Sequence, residues 1–321
     1  MVFPQILKVK QAAWDRVQQQ TNSRQLILLH VGIPGIISLV LTGLSYYLSL
    51  QIADTGGLGG MGLRSMLGAM QNMLQVLSMV FSIFWGIGLT AIALRWSQHQ
   101  TAYKNDLLIG FRFFGPVLRT TLLKGVIYFS TAFLGFQLAS MIFSMTPLAE
   151  STMEIINQMT NDATYIPSDE ALMQAMTSFL PFLVIVMAVL MIPVFYRLRM
   201  TDYVLMDHPK NGAFFAVRAS IFLTRRNCFK LFKLDLSFWW FYLLEVLVAA
   251  IYYGDLLLQM ANINTGLSSE ILMFIACVIG LGLQVALYTW RQCQVSTTYA
   301  MVYESLKPAI PTPPQPQQTQ M

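Results

Sequence analysis

The sequence predicts an all-α protein that crosses a membrane several times. Hydrophobic residues make up 55% of its 321 residues and charged residues only 11%, whereas soluble domains carry about 25% charged residues. The charged residues are also clustered, and long uncharged runs separate the clusters. A chain of this composition has too few polar residues to cover a soluble fold, so much of its surface is expected to face lipid.

Six apolar runs are long enough to cross a bilayer as helices. Such a helix needs about 20 mostly apolar residues, because each backbone polar group must find its partner within the segment. The six runs lie at about 27–50, 70–94, 123–145, 175–196, 236–258 and 271–291. We therefore expect one six-span domain over 26–307, preceded by an amphipathic segment at 1–25 and followed by a disordered Pro/Gln-rich tail at 308–321.

The distribution of Lys and Arg predicts which side of the membrane each connection faces. Cytoplasmic loops of membrane proteins carry an excess of these two residues. Here they concentrate before the first span, after the second and fourth spans, and around the end of the sixth. Arg64 is the only one of the 20 that falls in another connection. Both termini are therefore expected in the cytoplasm.

Two segments on the predicted cytoplasmic side alternate cations with large aromatic residues. KNDLLIGFRFFGPVLRTTLLK at 104–124 and KNGAFFAVRASIFLTRRNCFK at 210–230 share five polar identities at an offset of 106. In each segment two arginines lie seven residues apart and therefore share one side of a helix. We predict that 104–119 and 210–226 form cytoplasmic interfacial amphipathic helices along the inner leaflet.

The basic residues of these segments indicate a membrane surface, because cations set among apolar residues suit a bilayer or a partner helix better than water. The candidate contacts for anionic lipid are Arg112, Arg119, Arg218, Arg225 and Lys230. The net charge of +5 does not indicate nucleic acid, since the basic residues flank apolar runs and form no solvated stripe. Membrane lipids are the expected partners, together with a membrane or cytoplasmic protein that the sequence does not identify.

One carboxylate, Glu245, falls near the middle of the predicted fifth span. A carboxylate in hydrocarbon is protonated, paired, or part of a functional site. Lys124, at the start of the third span, and Gln284, in the sixth, are its candidate partners. These three residues form the candidate intramembrane polar site, for which we favour a structural role because a single acid makes no proton relay. Asp235 and Asp255 are expected at the ends of the span, where a charge costs little.

The sequence offers no recognisable catalytic, cofactor or metal site. The three histidines lie in different segments, and no His-x-x-x-His or Glu-x-x-His pair occurs. The glycine-rich run at 56–66 lacks the Lys that a phosphate-binding loop requires. The three cysteines are far apart in sequence and suit apolar packing. An enzyme is therefore not expected.

The stretch LMDHPKNGAFFAVRASIFLTRRNCFKLFKLDLSFWW at 205–240 resembles the core motif of the DUF975 family of bacterial integral membrane proteins. The matching positions are Asp207, Gly212, Ala216, Ser220, Lys230, Phe232, Leu234, Leu236, Ser237, Phe238 and Trp240. TTYAMVYESLK at 297–307 resembles the family's closing helix, and DLLIGFRFF at 106–114 resembles its middle motif. The closing helix is matched at Ala300, Tyr303, Glu304 and Leu306.

The chain also departs from the family pattern, since TWRQCQVSTTYA at 289–300 stands where the family often has a Pro-Tyr pair. The resemblance implies a multi-pass protein of the plasma membrane of a bacterium. It implies no assigned function and supplies no catalytic residues.

Two functional hypotheses follow from the sequence. The first is a non-enzymatic bilayer protein that binds anionic lipid or a protein partner through its cytoplasmic helices. The alternative is a transporter of a small molecule or lipid with a midplane site near Glu245. A transporter gathers several polar groups around one cavity. The spans offer little beyond Glu245 and Gln284, so the first hypothesis is preferred.

Overall fold

The computed structural model describes residues 5–54, 60–161, 168–252 and 269–307, and these residues form helices without any strand. The helices are α1 (Ile6–Gln18), α2 (Ser23–Asp54), α3 (Gly60–Ser97), α4 (Ile109–Arg112), α5 (Phe114–Ser144), α6 (Ala149–Asn161), α7 (Asp169–Leu198), α8 (Thr201–Asp207), α9 (Gly212–Thr224), α10 (Cys228–Leu236), α11 (Trp239–Tyr252), α12 (Ser269–Leu287) and α13 (Cys293–Leu306). Short 3-10 turns cover Lys104–Leu108 and Pro209–Asn211, and a π-helical segment, Tyr288–Gln292, joins α12 to α13. The predicted all-α fold is confirmed.

Several of these helices are long and apolar enough to cross a membrane. Five stretches qualify alone: Ser23–Leu41, Gly68–Ser97, Phe114–Ser144, Met173–Asp207 and Phe274–Leu306. A sixth arises if α10 and α11, which meet at 67°, are counted together. The described residues therefore form a polytopic membrane protein with five or six candidate spans. Within the predicted fifth span at 236–258, α11 runs from Trp239 to Tyr252 and the bend lies at the start of the span, while residues 253–258 lie outside the described part of the chain.

The bend between α10 and α11 is held by contacts to other parts of the bundle. The Ser237 hydroxyl donates to the Leu234 carbonyl oxygen at 2.6 Å, and Lys10 of α1 donates to the Ser237 carbonyl oxygen at 2.7 Å. The Phe238 ring is fully buried, with the Lys10 ammonium 4.0 Å from its centre. Burial lowers the pKa of Lys10. Because these contacts satisfy the backbone where α10 ends, the chain can change direction there.

The predicted interfacial helix at 104–119 is wrong. The chain turns at Phe113 (φ −103°, ψ 41°), and α5 begins directly after it at Phe114. Arg119 and Lys124 therefore both lie within α5, which starts before the position predicted for the third span. The segment predicted as one surface helix is therefore two parts, a short helical turn and the first part of a long spanning helix.

Close packing against α3 fixes the segment before this turn. Asp106 accepts a hydrogen bond from Arg95 of α3 at 2.7 Å, and the two side chains form a salt bridge. Gly88 of α3 has no room for a side chain, since a Cβ atom there would overlap the carbonyl group of Leu107. Gly110 meets the backbone of α3 in the same way. The two backbones touch directly, an approach that small residues permit between membrane helices.

The predicted helix at 210–226 is present as α9, but one side of it is buried in the bundle. It begins at Gly212, whose φ of 79° lies in the left-handed region that favours glycine. Small residues such as Ala216 and Ser220 form its buried side, which lies against α5, α7 and α8. The Ser220 hydroxyl donates to the Arg197 carbonyl oxygen at 2.8 Å. α9 is therefore a bundle helix with one exposed side.

The buried core is concentrated at one end of the bundle, which we call the core end. It is built mainly from residues within 84–107, 196–241 and 287–306. Away from it, α5 and α7 carry large exposed apolar side chains such as Phe129 and Ile185. Apolar surface of this kind suits lipid tails, which are as apolar as the side chains themselves.

We predict that Gly88→Ala destabilises the protein by about 1–3 kcal/mol, the usual cost of overpacking. The added Cβ atom must displace the backbone of Leu107, which the neighbouring contact between Asp106 and Arg95 holds in place. Gly86→Ala is the matched control, because nothing lies within 4 Å of a Cβ atom placed there. Alanine at that position should be neutral or stabilise by up to about 1 kcal/mol. Thermal unfolding of the purified full-length variants in detergent measures both effects, and equal melting temperatures would contradict the prediction.

Candidate functional site

Asp235, at the end of α10, is the centre of a polar cluster at the core end. Its carboxylate accepts hydrogen bonds from the hydroxyls of Tyr196 and Tyr242 at 2.8 Å each, and a third from Tyr299. Nη2 of Arg199 lies 3.7 Å from its Oδ1. The side chain of Asp235 is only 14% exposed. We call these five residues the arginine–tyrosine centre. The centre joins α7, α10, α11 and α13, and Arg199 directly follows α7.

Arg199 is held in this centre mainly by aromatic rings. Its guanidinium lies 4.9 Å from the centre of the Phe195 ring and 4.5 Å from that of Tyr299, distances typical of cation–π contacts. Among the described residues the guanidinium makes no hydrogen bond, because three tyrosine hydroxyls already occupy the Asp235 carboxylate. Arg199 therefore has a counter-charge but retains N–H donors for which no described residue is an acceptor.

A cavity of about 220 Å³ lies beside Arg199. Its wall also contains Lys124 of α5, Asp202 of α8, and Ser296 of α13. Lys124 Nζ donates to both carboxylate oxygens of Asp202 at 2.9 Å. The wall thus carries two cations and one carboxylate, whereas Asp235, 3.7 Å from Arg199, does not line the cavity.

Asp207 makes a second polar connection at the core end, between α8 and α13. It accepts a hydrogen bond from the Tyr303 hydroxyl at 2.8 Å and lies 2.8 Å from the ammonium of Lys307. Burial acts to lower the pKa of Lys307, but the hydrogen bond and the charge of Asp207 outweigh burial and raise it. Glu304 accepts a hydrogen bond from the side-chain amide of Gln98 at 2.6 Å. The core motif and the closing helix identified in the sequence meet at these contacts.

The predicted pairing of Glu245 with Lys124 is wrong. Tyr288 donates a hydrogen bond to Glu245 at 2.5 Å, whereas Lys124 pairs with Asp202. The reason lies in the helix order, since α5 packs against α7 and α9 while α11 packs against α12. Gln284 lines the same cavity of about 400 Å³ as Glu245. The structure therefore brings two of the three predicted polar residues together and places the third elsewhere.

The region around Glu245 is more polar than the sequence suggested. Gln284 and Tyr288 line the Glu245 cavity and also an adjoining cavity of about 340 Å³. His30, together with Ser38 and two further serines, lines this second cavity. The polar groups come from α2, α3 and α12, so no single span reveals the cluster.

The five predicted lipid-contact cations are exposed, but they are spread over several elements. Arg112 ends α4, Arg119 lies in the first part of α5, and Lys230 lies in α10. Arg218 lies on α9, and Arg225 directly follows that helix. None of the five lines a cavity described above.

Two of these cations belong to one exposed stripe, which we call the α9 stripe: Phe214, Arg218, Phe222 and Arg225. Successive members are four, four and three residues apart, which places them on one side of the helix. Phe214 is 79% exposed and Phe222 is 52% exposed. The stripe presents guanidinium groups and aromatic rings together to the surroundings of the bundle.

The arginine–tyrosine centre is absent from the sequence-based prediction. Asp235 does lie just before α11, at the end of the predicted span, but tyrosine side chains cover its carboxylate. Its hydroxyl partners lie 7, 39 and 64 residues away along the chain, so no local sequence spacing predicts these contacts. The sequence does place Tyr299 and Tyr303 four residues apart, on one side of α13. In the structure Tyr299 bonds Asp235 and Tyr303 bonds Asp207.

The described residues show no metal-binding arrangement. No group of three or more His, Cys, Asp or Glu among them is close enough to hold a metal ion, and Cys228, Cys277 and Cys293 form no disulfide among the described residues. A further cavity of about 340 Å³ between α5, α6 and α7 is lined mostly by apolar side chains such as Phe143 and Phe179. Charged and hydrogen-bonding groups are concentrated instead at the core end and around Glu245.

The fold and these centres define a class of protein: a multi-pass, all-α membrane protein whose helices are joined at one end by ion pairs and tyrosine hydrogen bonds. The chain belongs to the DUF975 family, whose description is a protein of unknown function and whose profile matches residues 6–309. No curated protein and no solved structure matches the chain. The resemblance seen in the sequence is thereby confirmed over nearly its whole length.

We predict that Asp235→Ala lowers the free energy of unfolding by about 3–5 kcal/mol, as expected when one partner of a buried ion pair is removed. The substitution leaves Arg199 without its counter-charge and deprives three hydroxyls of their acceptor. Asp15→Ala is the control, because that carboxylate on α1 is exposed, and it should change stability by less than about 0.5 kcal/mol. Denaturant or thermal unfolding in detergent gives the comparison. A similar small effect for both variants would show that the centre does not hold the helices together.

Proposed function

We propose that this protein is a non-enzymatic integral protein of a bacterial plasma membrane that binds anionic lipid at its cytoplasmic face. The observation that carries the proposal is the α9 stripe, in which two arginines alternate with two exposed phenylalanines. A phenylalanine exposed to water costs free energy, whereas one in the headgroup layer does not. A neighbouring cation reaches lipid phosphates from the same position.

The charges around the stripe favour an anionic surface over a neutral one. Among the described residues no carboxylate forms a salt bridge with Arg218 or Arg225. On α10, Phe229, Lys233 and Leu236 are exposed along one side in a similar arrangement. Both helices therefore offer cations beside apolar groups, the combination found in helices that lie in a membrane interface.

The same surface can also receive a protein partner, which the sequence left open as an alternative. We favour lipid because headgroups form a fluid layer. Long side chains on the exposed side of one helix can contact such a layer without a complementary shape. A specific protein interface of standard size needs about 800 Å² of matched surface on each partner.

The cytoplasmic position of the stripe is supported by the Lys and Arg distribution, which also assigns both termini to the cytoplasm. We predict that a cysteine at Lys210 reacts with a membrane-impermeant thiol reagent only after permeabilisation, whereas one at Glu154 reacts in intact cells. Both positions are exposed, and the three native cysteines are replaced first. Labelling of position 210 in intact cells would reverse the topology and remove the proposed contact with the inner leaflet.

We predict that removing both stripe cations, by Arg218→Gln with Arg225→Gln, reduces selectivity for anionic over zwitterionic phospholipid. Each cation near an anionic surface contributes about 1 kcal/mol, or roughly a fivefold preference. Electron spin resonance with spin-labelled lipids in proteoliposomes measures this selectivity for the full-length protein. The selectivity of the wild-type protein should also weaken as salt is raised.

The matched control for this experiment removes two cations that have no aromatic neighbours in a stripe. Lys8 and Arg24 are exposed, lie on the same predicted side, and are changed to Gln together. An equal loss in this control would show that net charge alone matters. Unchanged selectivity in the stripe variant would contradict lipid binding and favour a protein partner for this surface.

A transporter is the second candidate, and the adjoining cavities around Glu245 support it. Together they offer a carboxylate, an amide, an imidazole and several hydroxyls, which is nearer to a transporter site than the individual spans suggested. Against a transporter, the Glu245 carboxylate already accepts a hydrogen bond from the Tyr288 hydroxyl. A cysteine at Ala249, in the cavity wall, that reacts with a membrane-impermeant reagent from both sides of the membrane would favour transport over the structural role.

A further inference from the structure

We propose that the cavity beside Arg199 binds a phosphate group. The observation behind it is an arginine that is held in position while its N–H donors have no acceptor among the described residues. Its guanidinium is placed by the rings of Phe195 and Tyr299 and balanced by Asp235 at 3.7 Å. Among the described residues, none accepts a hydrogen bond from it. A planar guanidinium presents its N–H groups as a rigid fork that matches phosphate oxygens.

The second cation of the cavity wall adds a donor from another helix. Lys124 has three N–H donors, and two of them are directed to the oxygens of Asp202. One donor remains for a ligand. The cavity wall carries the two cations Arg199 and Lys124 and the single carboxylate of Asp202, while Asp235 contacts Arg199 from outside the wall. An anion that enters therefore meets two cations and only one carboxylate.

The shape of the cavity favours a phosphate over a simple carboxylate. Its volume of about 220 Å³ exceeds the roughly 30 Å³ that a single water occupies in liquid. Donors approach it from α5, from the residue after α7, and from hydroxyl groups that include Ser296 of α13. A carboxylate has two oxygens on one edge, whereas a phosphate has three or four oxygens pointing in different directions. With more oxygens, the phosphate can accept from more of these donors at once than a carboxylate can.

This chemistry has two sources, a phospholipid headgroup and free phosphate, and the structure defines the group that they share. The site is separate from the α9 stripe, which attracts anionic lipid through exposed cations without a cavity. The proposal therefore stands or fails independently of the proposed function.

The test uses the full-length protein, delipidated in detergent, and two probes. Native mass spectrometry counts molecules of phosphatidic acid, with phosphatidylcholine for comparison, that remain bound to each chain. Inorganic phosphate is tested by the shift in melting temperature relative to chloride at equal ionic strength. We expect one high-affinity site for one of the two phosphate probes. Its affinity should fall about tenfold or more in Arg199→Gln, as expected for loss of hydrogen bonds to a charged group.

Two further variants separate binding from folding. Ser296→Phe fills the cavity and keeps both cations, so it should abolish binding even if Arg199→Gln proves too unstable to measure. Arg197→Gln is the matched control, since this arginine is exposed two residues before Arg199 and does not line the cavity. It should bind like the wild-type protein.

Each outcome decides between the proposal and its failure. Binding of phosphatidic acid alone, lost in the two cavity variants, assigns the site to a lipid headgroup. Binding of inorganic phosphate with the same variant pattern assigns it to a soluble anion. Absence of binding by either probe, retention of binding by Ser296→Phe, or an equal loss in Arg197→Gln would overturn the proposal. Removing Arg218 and Arg225 should leave this single site intact.

Discussion

Asp235 brings together four helices because its carboxylate accepts hydrogen bonds from three tyrosine hydroxyls while Arg199 balances its charge. A carboxylate in such surroundings is tolerated only when its partners are in place. The partners come from three parts of the chain, since Tyr196 and Arg199 are neighbours while Tyr242 and Tyr299 lie elsewhere, so the contacts depend on one another. The helices can adopt this arrangement together, but no pair of them can satisfy the centre alone.

The position of the polar contacts explains why the bundle is compact at one end. Apolar side chains gain little by leaving lipid for another apolar surface, so membrane helices are held by close packing and polar contacts. The pairs Lys124–Asp202 and Asp207–Lys307 accompany the arginine–tyrosine centre at the core end. The opposite halves of α5 and α7 expose large apolar side chains. The contacts that hold the helices together are therefore concentrated at the core end, where these ion pairs lie.

The all-α fold and the approximate spans could be predicted because length and apolar composition are local properties of each run. The turn at Phe113 could not, since it depends on glycine contacts and an ion pair with α3. The position of the fifth span was predicted, but the 67° bend near Ser237 was not, because it depends on tertiary contacts. Glu245 was recognised as a polar residue in a span, but its partner depends on which helices are neighbours. The spacing of Arg218 and Arg225 predicted a shared helix side, and the structure shows it on α9.

The π-helical segment Tyr288–Gln292 has a consequence for how this protein can change over time. Each residue advances an α-helix by about 100°, and a π segment accommodates an additional residue without ending the helix. At its start Tyr288 reaches Glu245, and beyond it Tyr299 reaches Asp235. Loss of a single residue here would rotate one tyrosine away from its acid while the other kept its place. The contacts of both acids therefore depend on the length of this one segment, although the acids lie far apart in the bundle.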